Sequence, residues 1–340
     1  ELRTHFSSRL QADLIIHSGD ISFSGEGNEV MDFIDWFCKL DYNYNDLVQF
    51  NGGSVYNFFD YFPSTIGIFI GKVLNFSPYI GIYIAKLINL LIYLLIGYYC
   101  IKILPFGKLL LLIFLLGPMF LQQATSVSID SLINILSVLF ISYILFVKYT
   151  KENLKIKNIL FLSVLLLLIS IQKIVYLPLG LLIFLLHDQF KIMNRKEKII
   201  TFILGLLIIS LALVWYKRPL EISNIILQQG LIDRVGFIKI NLVRSLFVIT
   251  NTLIFNSGPY FLQSIGQYLS WTSLRLPDYI IIIYCILLFI SLFVQNNPKK
   301  IINKFDKILI LLTFFIISGL VFIALYFDYS KIESPFIQGI

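Results

Sequence analysis

From residue 78 to residue 327 the chain is a series of long apolar runs, which are separated by short basic loops, one polar stretch and one long mixed segment. A helix needs about 20 consecutive apolar residues to cross a bilayer, and several of these runs approach that length. Hydrophobic residues make up 58% of the sequence and charged residues only 14%, whereas soluble domains carry about 25% charged residues. Because lipid offers the backbone no hydrogen-bond partners, such runs favour helices. The sequence therefore predicts an all-α, polytopic integral membrane protein.

The apolar runs divide the chain into five predicted segments. Residues 1–60, where acidic residues and glycines cluster, form an extracytoplasmic first loop with short helices. Residues 61–216 form a transmembrane core with one re-entrant helix and about six spans, some of them short. Residues 217–278 form an extracytoplasmic amphipathic segment, residues 279–327 form two further spans, and residues 328–340 form an outer tail that we expect to be truncated.

The length of each apolar run predicts whether it crosses the membrane. Residues 61–76 are apolar but short and rich in glycine, so a re-entrant or interfacial helix fits them better than a span. The predicted spans cover residues 78–104, 107–121, 129–147, 158–188, 199–216, 279–294 and 308–327.

Three lysine-rich loops, at residues 148–157, 191–198 and 299–307, orient these spans, because short basic loops stay in the cytoplasm. With all three inside, the run 158–188 starts and ends inside and must cross an even number of times. One helix of this length would measure about 46 Å. It would place Lys173 in the middle of the membrane, at a free-energy cost of about 3 kcal/mol. We therefore predict two short helices that turn at Gln172 and Lys173 on the outer side. The same count places the other polar stretches of the chain outside as well.

Residues 117–134, GPMFLQQATSVSIDSLIN, join two apolar helices through a polar stretch that we call the polar corner. A Gly-Pro pair ends a helix, because proline lacks a backbone donor and clashes with the preceding turn. Ser126 or Ser128 can cap the next helix. An acid such as Asp130 is costly here unless it faces water, a partner or a ligand. Two interpretations stay open: Asp130 and the two glutamines line a functional site, or the corner is a capped turn at the membrane interface.

The segment 217–278 carries basic residues between apolar ones, at a spacing that suits a helix lying on the outer leaflet. Arg234, Lys239 and Arg244 could hold a lipid phosphate. They could equally be anchors without a specific ligand, since long basic side chains extend toward the interface. Trp271 and Arg275 come to the edge of the next span, where tryptophan is common.

Metal and nucleotide chemistry find little support in the sequence. The three cysteines form no disulfide framework and no CxxC pair, and no His/Cys spacing predicts zinc. The acidic cluster at 26–35 could bind a divalent cation, or it is a solvated loop; no other cofactor is indicated. No glycine-rich phosphate loop is present. The net charge of +7 lies mainly in the basic loops, so it reflects topology and not nucleic-acid binding.

Several stretches together resemble one bacterial membrane family, catalogued as domain of unknown function 2142 and regarded as a relative of the GT-C glycosyltransferases. The similar stretches keep their order along nearly the whole chain. They read ELRTHFSSRLQADLIIHSGDI, YFPSTIGIFIGKVLNFSPYIGIYIAKLINLLIY, GPMFLQQATSVSIDSLIN, QKIVYLPLGLL, IGQYLSWTSLRLPDYI and SPFIQGI. The chain departs from the family where Thr272 stands in place of an acid, and it begins at Glu1 without methionine, so we expect the natural N-terminus upstream.

The resemblance implies a GT-C-like helical bundle that passes a sugar from a polyprenyl-phosphate carrier to an acceptor. It implies that Glu1, with His5 and Arg9 beside it, serves as base or orients the acceptor hydroxyl. Asp130 is the second catalytic candidate, and it could also hydrogen-bond sugar hydroxyls. A cation such as Lys173 would balance the charge of the departing phosphate. The other implied substrate-binding residues are Gln122, Gln123, Ser128, Tyr176, Trp271 and Arg275.

The resemblance thus implies a glycosyltransferase of the bacterial cytoplasmic membrane, and the basic loops place its active face outside. Its expected partners are a polyprenyl-phosphate sugar donor, a cell-envelope glycan or glycolipid acceptor, and membrane lipids. The alternatives are a transporter or lipid flippase, and a non-catalytic partner in polysaccharide assembly. A transporter tends to show an internal repeat and mid-membrane polar residues, whereas here no repeat is seen and polar residues gather on one predicted face.

Overall fold

The computed structural model describes residues 58–76, 78–149, 154–222, 242–269, 274–294 and 303–329. The described elements in chain order are a 3₁₀ helix at Phe58–Tyr61, α1 (Phe62–Val73), α2 (Pro78–Ile103), α3 (Lys108–Leu115), α4 (Pro118–Ala124), α5 (Ile129–Tyr149), α6 (Ile156–Gln172), a second 3₁₀ helix at Ile174–Leu186, α7 (His187–Ile192), α8 (Arg195–Ile222), α9 (Leu242–Ile265), β1 (Tyr268–Leu269), β2 (Leu274–Arg275), α10 (Asp278–Phe293) and α11 (Lys304–Tyr329).

The helices confirm the prediction of an all-α, polytopic membrane protein. Among the described residues, five helical stretches are long and apolar enough to cross a bilayer: Ile80–Ile103, Ile129–Tyr149, Ile174–Lys191, Arg195–Val214 and Lys304–Ala324. Helices α1, α6 and α10 are apolar but shorter. The short α1 agrees with the prediction that residues 61–76 are too short for a span; its re-entrant placement stays a prediction.

The predicted span at 107–121 is wrong as a single helix. Helix α3 has 8 residues, and the chain is extended at Gly117, with ψ of 142°, before α4 begins at Pro118. Pro118 cannot donate the backbone bond that would continue α3, but it suits the first turn of α4, where that donor is not needed. The helix end at Gly117 and Pro118 was predicted, whereas the short helix α4 was not.

The described residues fall into two compact units. The first takes its residues from Glu1–Lys102, Lys108–Leu139 and Ile265–Val294, and the second from Ile103–Gly107, Phe140–Ser264 and Gln295–Ile340. Each unit therefore combines segments that are distant in sequence. The five predicted segments and their sides of the membrane stay a prediction.

In the first unit, small residues let two helix backbones lie against each other. Gly67 of α1 sits on the backbone of Ala85 of α2, so closely that a side chain at position 67 would overlap it. Close approach of this kind is typical of helix contacts in membranes, where packing replaces the hydrophobic effect between helices. The same unit has an apolar core formed by Tyr93, Leu115, Ala124 and Ile135.

In the second unit, α6 ends at Gln172 and Lys173 is extended, with φ of −141° and ψ of 110°. The 3₁₀ helix that follows returns along α6. Its Gly180 lies so close to α6 that a side chain there would meet the Leu166 side chain at 2.8 Å. This hairpin confirms the predicted turn at Gln172 and Lys173. Its second arm has 13 residues, and at about 2.0 Å per residue a 3₁₀ helix of this length reaches about 26 Å, nearly a bilayer core.

A buried ion pair joins α5 to α11 in the second unit. The Lys148 ammonium donates to Asp306 Oδ2, and Asp306 is only 1% exposed. Gln189 Nε2 donates to the carbonyls of Val147 and Lys148 at 3.3 and 3.1 Å, so it satisfies carbonyls that the end of α5 leaves open. The ends of three helices are therefore fixed at one place.

We expect Lys148→Met to lower the free energy of unfolding by about 3–5 kcal/mol, because it leaves the Asp306 carboxylate buried without its cation. The double variant Lys148→Met/Asp306→Leu should recover much of this loss, since an apolar pair avoids the cost of a buried charge. Unfolding of the purified protein by SDS titration measures both values.

The control is Lys191→Met, which removes an exposed ion pair with Asp188 and should cost less than about 1 kcal/mol. Equal losses in the single and double Lys148 variants would show that the buried charge is not the source of the effect.

Candidate functional site

The polar corner is a short helix followed by a tight turn. Helix α4 has seven residues, Pro118–Ala124, so Gln122 and Gln123 lie on a helix and not in an open loop. The Thr125 hydroxyl donates to the carbonyls of Leu121 and Gln122 at 3.2 and 3.0 Å. These bonds satisfy carbonyls at the end of α4, where the helix leaves them without partners.

The serines of the corner connect to Gln123. Ser126 Oγ donates to the Gln123 carbonyl at 2.8 Å and shares a hydrogen bond of 2.7 Å with Ser128 Oγ. Ser128 Oγ donates to Gln123 Oε1 at 3.4 Å. The structure therefore brings together Gln123 and Ser128, two of the predicted binding residues. Capping of α5 by either serine stays a prediction.

Asn89 of α2 holds the corner in place, and sequence reasoning missed it. Its Nδ2 donates to the Ser126 carbonyl at 2.7 Å and to Ser64 Oγ at 3.0 Å, while Ser64 Oγ approaches Asn89 Oδ1 at 3.3 Å. Asn89 is 3% exposed, and Ser64 of α1 is buried as well. The signal was available, because an amide inside an apolar helix usually bonds to a neighbouring helix.

Asp130 and Gln122, the other predicted residues of the corner, are half-buried in the same unit. Asp130 lies in the first turn of α5, where the helix dipole favours a negative charge. The corner thus combines a carboxylate, two side-chain amides and two serine hydroxyls within the residues 122–130. Such a set can donate hydrogen bonds to hydroxyl groups, accept them, and take up a proton.

A two-stranded hairpin lies against the start of α4. Gly266 has φ of +105°, and a side chain there would meet the Met119 nitrogen at 2.7 Å and Pro118 Cβ at 2.9 Å. Only glycine adopts this conformation and this contact without strain. In the hairpin, Tyr268 pairs with Arg275 across β1 and β2.

The predicted binding residue Arg275 is engaged by an acid that the prediction did not include. Arg275 Nη2 donates to both carboxylate oxygens of Asp278, at 3.0 and 3.2 Å, and Gln267 Nε2 donates to Asp278 Oδ1 at 2.8 Å. The hydrogen bonds from Gln267 and then Arg275 hold the pKa of Asp278 below its usual value. The bond to Asp278 likewise raises the pKa of Arg275. Both groups therefore stay charged over a wide pH range.

Two buried glutamines lack expected partners. Three buried side-chain atoms have no hydrogen-bond partner among the described residues. They are both amide atoms of Gln172 and the Oε1 atom of Gln267. Each unpaired buried group costs about 1–3 kcal/mol. Sequence reasoning placed Gln172 at a turn but assigned it no role, and it did not consider Gln267.

The predicted residues Lys173, Tyr176 and Arg244 belong to the second unit. Lys173 and Tyr176 lie together at the turn between α6 and the second 3₁₀ helix, where the Tyr176 backbone N–H donates to the Lys173 carbonyl at 3.1 Å. Both side chains are half-buried. Arg244 is exposed on the first turns of α9.

The remaining predicted residues lie outside the described part of the chain. This group contains the catalytic candidate Glu1, the acidic cluster at 26–35, and His5, Arg9, Arg234, Lys239 and Trp271. Within the described residues, no group of three or more His, Cys, Asp and Glu side chains could hold a metal ion.

The apolar helices and the internal polar corner define a multi-pass helical membrane protein. Comparison with family models is more specific: the model described as predicted membrane protein (DUF2142) matches residues 17–340, so the chain belongs to this family. The match includes the polar corner and the hairpin, whereas Glu1, His5 and Arg9 precede it. No curated protein and no solved structure shows a significant match to the chain.

We expect Asn89→Leu to lower the free energy of unfolding by about 1–3 kcal/mol, because the Ser126 carbonyl and Ser64 Oγ lose a donor inside the protein. The matched control is Asn134→Leu, a half-buried residue of α5 in the same unit, which should change stability by less than about 0.5 kcal/mol. SDS or thermal unfolding of the purified variants measures the difference. Equal effects of the two substitutions would contradict the role of Asn89.

Proposed function

We propose that the protein is a glycosyltransferase that takes a sugar from a polyprenyl-phosphate donor and transfers it to a cell-envelope glycan or glycolipid. The reaction would take place on the extracytoplasmic face of the bacterial cytoplasmic membrane. The observation that carries the proposal is the polar corner. Gln123, Ser126 and Ser128 are joined by hydrogen bonds, and Asp130 follows them in the first turn of α5. We expect a lipid-linked substrate to reach this group from the membrane. The resemblance of the family to GT-C enzymes adds support.

The residues of the corner suit the chemistry of sugar transfer. The bond between the anomeric carbon and the phosphate oxygen breaks, and the polyprenyl phosphate leaves with the electron pair. The acceptor oxygen bonds to the anomeric carbon, and its proton passes to a carboxylate, for which Asp130 is our candidate. Gln122, Gln123 and Ser128 would bind sugar hydroxyls, and Asn89 would position the turn that carries Ser128.

The predicted residues outside the corner have separate roles in the proposal. Glu1, with His5 and Arg9, is the alternative base that the family resemblance implies. Lys173 would offset the charge of the departing phosphate, and Tyr176 would stack on a sugar or lie along the lipid. The basic residues Arg234, Lys239 and Arg244 would hold lipid phosphates, and Trp271 and Arg275 would contact the substrate.

The proposal is tested by incubating the purified protein with polyprenyl-phosphate sugars and measuring loss of the donor, with and without Mg²⁺. We expect Asp130→Asn to lower the rate by about 100-fold or more, because general base catalysis contributes about 10²–10⁴-fold. The control Asp188→Asn, at an exposed acid of α7, should keep the wild-type rate.

Two results would count against this proposal. Full activity of Asp130→Asn would remove the proposed role of Asp130. Movement of the lipid-linked sugar across vesicle membranes without turnover would favour the alternative of a transporter or flippase.

The proposed outer face is tested by labelling single cysteines with a membrane-impermeant maleimide in intact cells. Cys38, Cys100 and Cys285 are first replaced, and cysteine is then introduced at Gln122, Lys173, Trp271 or Lys198. We expect the first three to react from outside and position 198 to react only after lysis, because the basic loops stay in the cytoplasm. Labelling of positions 122, 173 and 271 from different sides would contradict the topology.

A further inference from the structure

The Gln267 side chain is buried but only half satisfied. It is 7% exposed, and its Nε2 donates to Asp278 Oδ1 at 2.8 Å. Its Oε1 is buried and has no hydrogen-bond partner in the described part of the chain. A buried acceptor without a donor is unfavourable. We therefore expect this oxygen to accept a hydrogen bond from a group outside the described residues.

The groups next to Gln267 are open to solvent. The side chains of Arg275 and Asp278 are 58% and 61% exposed, and the Arg275 guanidinium lies 5.9 Å from the centre of the Tyr268 ring. Arg275 uses Nη2 for its bonds to Asp278. Its Nη1 and Nε have no acceptor among the described residues, so they remain able to donate. One buried acceptor and several exposed donors therefore lie at the foot of the hairpin.

The charges of this cluster indicate which ligand fits. Arg275 and Asp278 are held as an ion pair, so together they carry no net charge. A phosphate would be repelled by the Asp278 carboxylate, and an ammonium group would be repelled by Arg275. A neutral ligand that both donates and accepts hydrogen bonds avoids both penalties. Sugar hydroxyls have this property, and an aromatic ring such as Tyr268 supplies an apolar surface beside them.

We propose that a neutral sugar ring binds at the foot of the hairpin, with one hydroxyl donating to Gln267 Oε1 and others accepting from Arg275. This site, which we call the hairpin subsite, extends the proposed function and rests on it for its biological role. Gly266 contacts the start of α4, whose seven residues span about 10 Å. The subsite is therefore adjacent to the polar corner, as a second sugar residue of a glycan substrate requires.

The test uses the full chain in detergent and a panel of methyl glycosides of common neutral hexoses, followed by thermal shift and saturation-transfer NMR. We expect Gln267→Leu to weaken binding at least tenfold, because the leucine cannot accept the hydroxyl proton. The unfolding midpoint without sugar is recorded for both variants, because Gln267→Leu removes the unpaired oxygen together with the bond from Nε2 to Asp278. The matched control is Gln263→Leu, a half-buried glutamine on α9, which should bind like the wild type.

Two results would overturn the hairpin subsite. They are absence of glycoside binding to the wild type, and equal binding by Gln267→Leu and the wild type. The second result would mean that Gln267 Oε1 takes no part in binding the sugar.

The donor-loss assay separates this inference from the proposed function. Wild-type turnover and KM in Gln267→Leu would overturn the hairpin subsite and leave the transferase proposal standing. Glycoside binding that requires Gln267, in a protein that consumes no donor, would support the subsite and count against the transferase.

Discussion

A break in a helix inside a membrane exposes backbone groups that lipid cannot satisfy. The first unit contains two helix breaks close together among apolar helices, at Gly117 and at the turn that follows α4. Side chains of the protein supply the missing bonds: Thr125 returns to two carbonyls of α4, and Asn89 donates to the Ser126 carbonyl. The polar corner can exist among apolar helices because these bonds are made.

The same corner depends on positions where a side chain is absent. Asn89 reaches Ser64 because Gly67, one turn further along α1, allows the backbones of α1 and α2 to approach. Gly266 likewise lets the hairpin lie on Pro118 and Met119. Polar bonds between helices require short distances between backbones, so the glycines and the hydrogen bonds act together.

Two of the exceptions to full hydrogen bonding among the described residues, the amides of Gln172 and Gln267, lie next to irregular backbone. Gln172 precedes the extended residue Lys173, and Gln267 follows Gly266 with its positive φ. Asp306 Oδ1 also lacks a partner among the described residues, although the other oxygen of this carboxylate pairs with Lys148. Unpaired polar groups of this kind are where ligands and ordered water act.

The sequence alone determined the helical, multi-pass architecture, the helix end at Gly117 and Pro118, and the turn at Gln172 and Lys173. Each follows from a local property: the length of an apolar run, the missing donor of proline, or the cost of a lysine in lipid. These properties act within a few residues, so no knowledge of neighbouring helices is needed.

Only the tertiary structure decided which side chains meet. The bonds from Asn89 to Ser64 and Ser126, and from Lys148 to an aspartate 158 positions away, could not be read from the chain. In a soluble helix, the apolar stripe shows which face is buried. In a membrane, the face toward lipid and the face toward the protein are both apolar, so periodicity does not reveal which helices become neighbours.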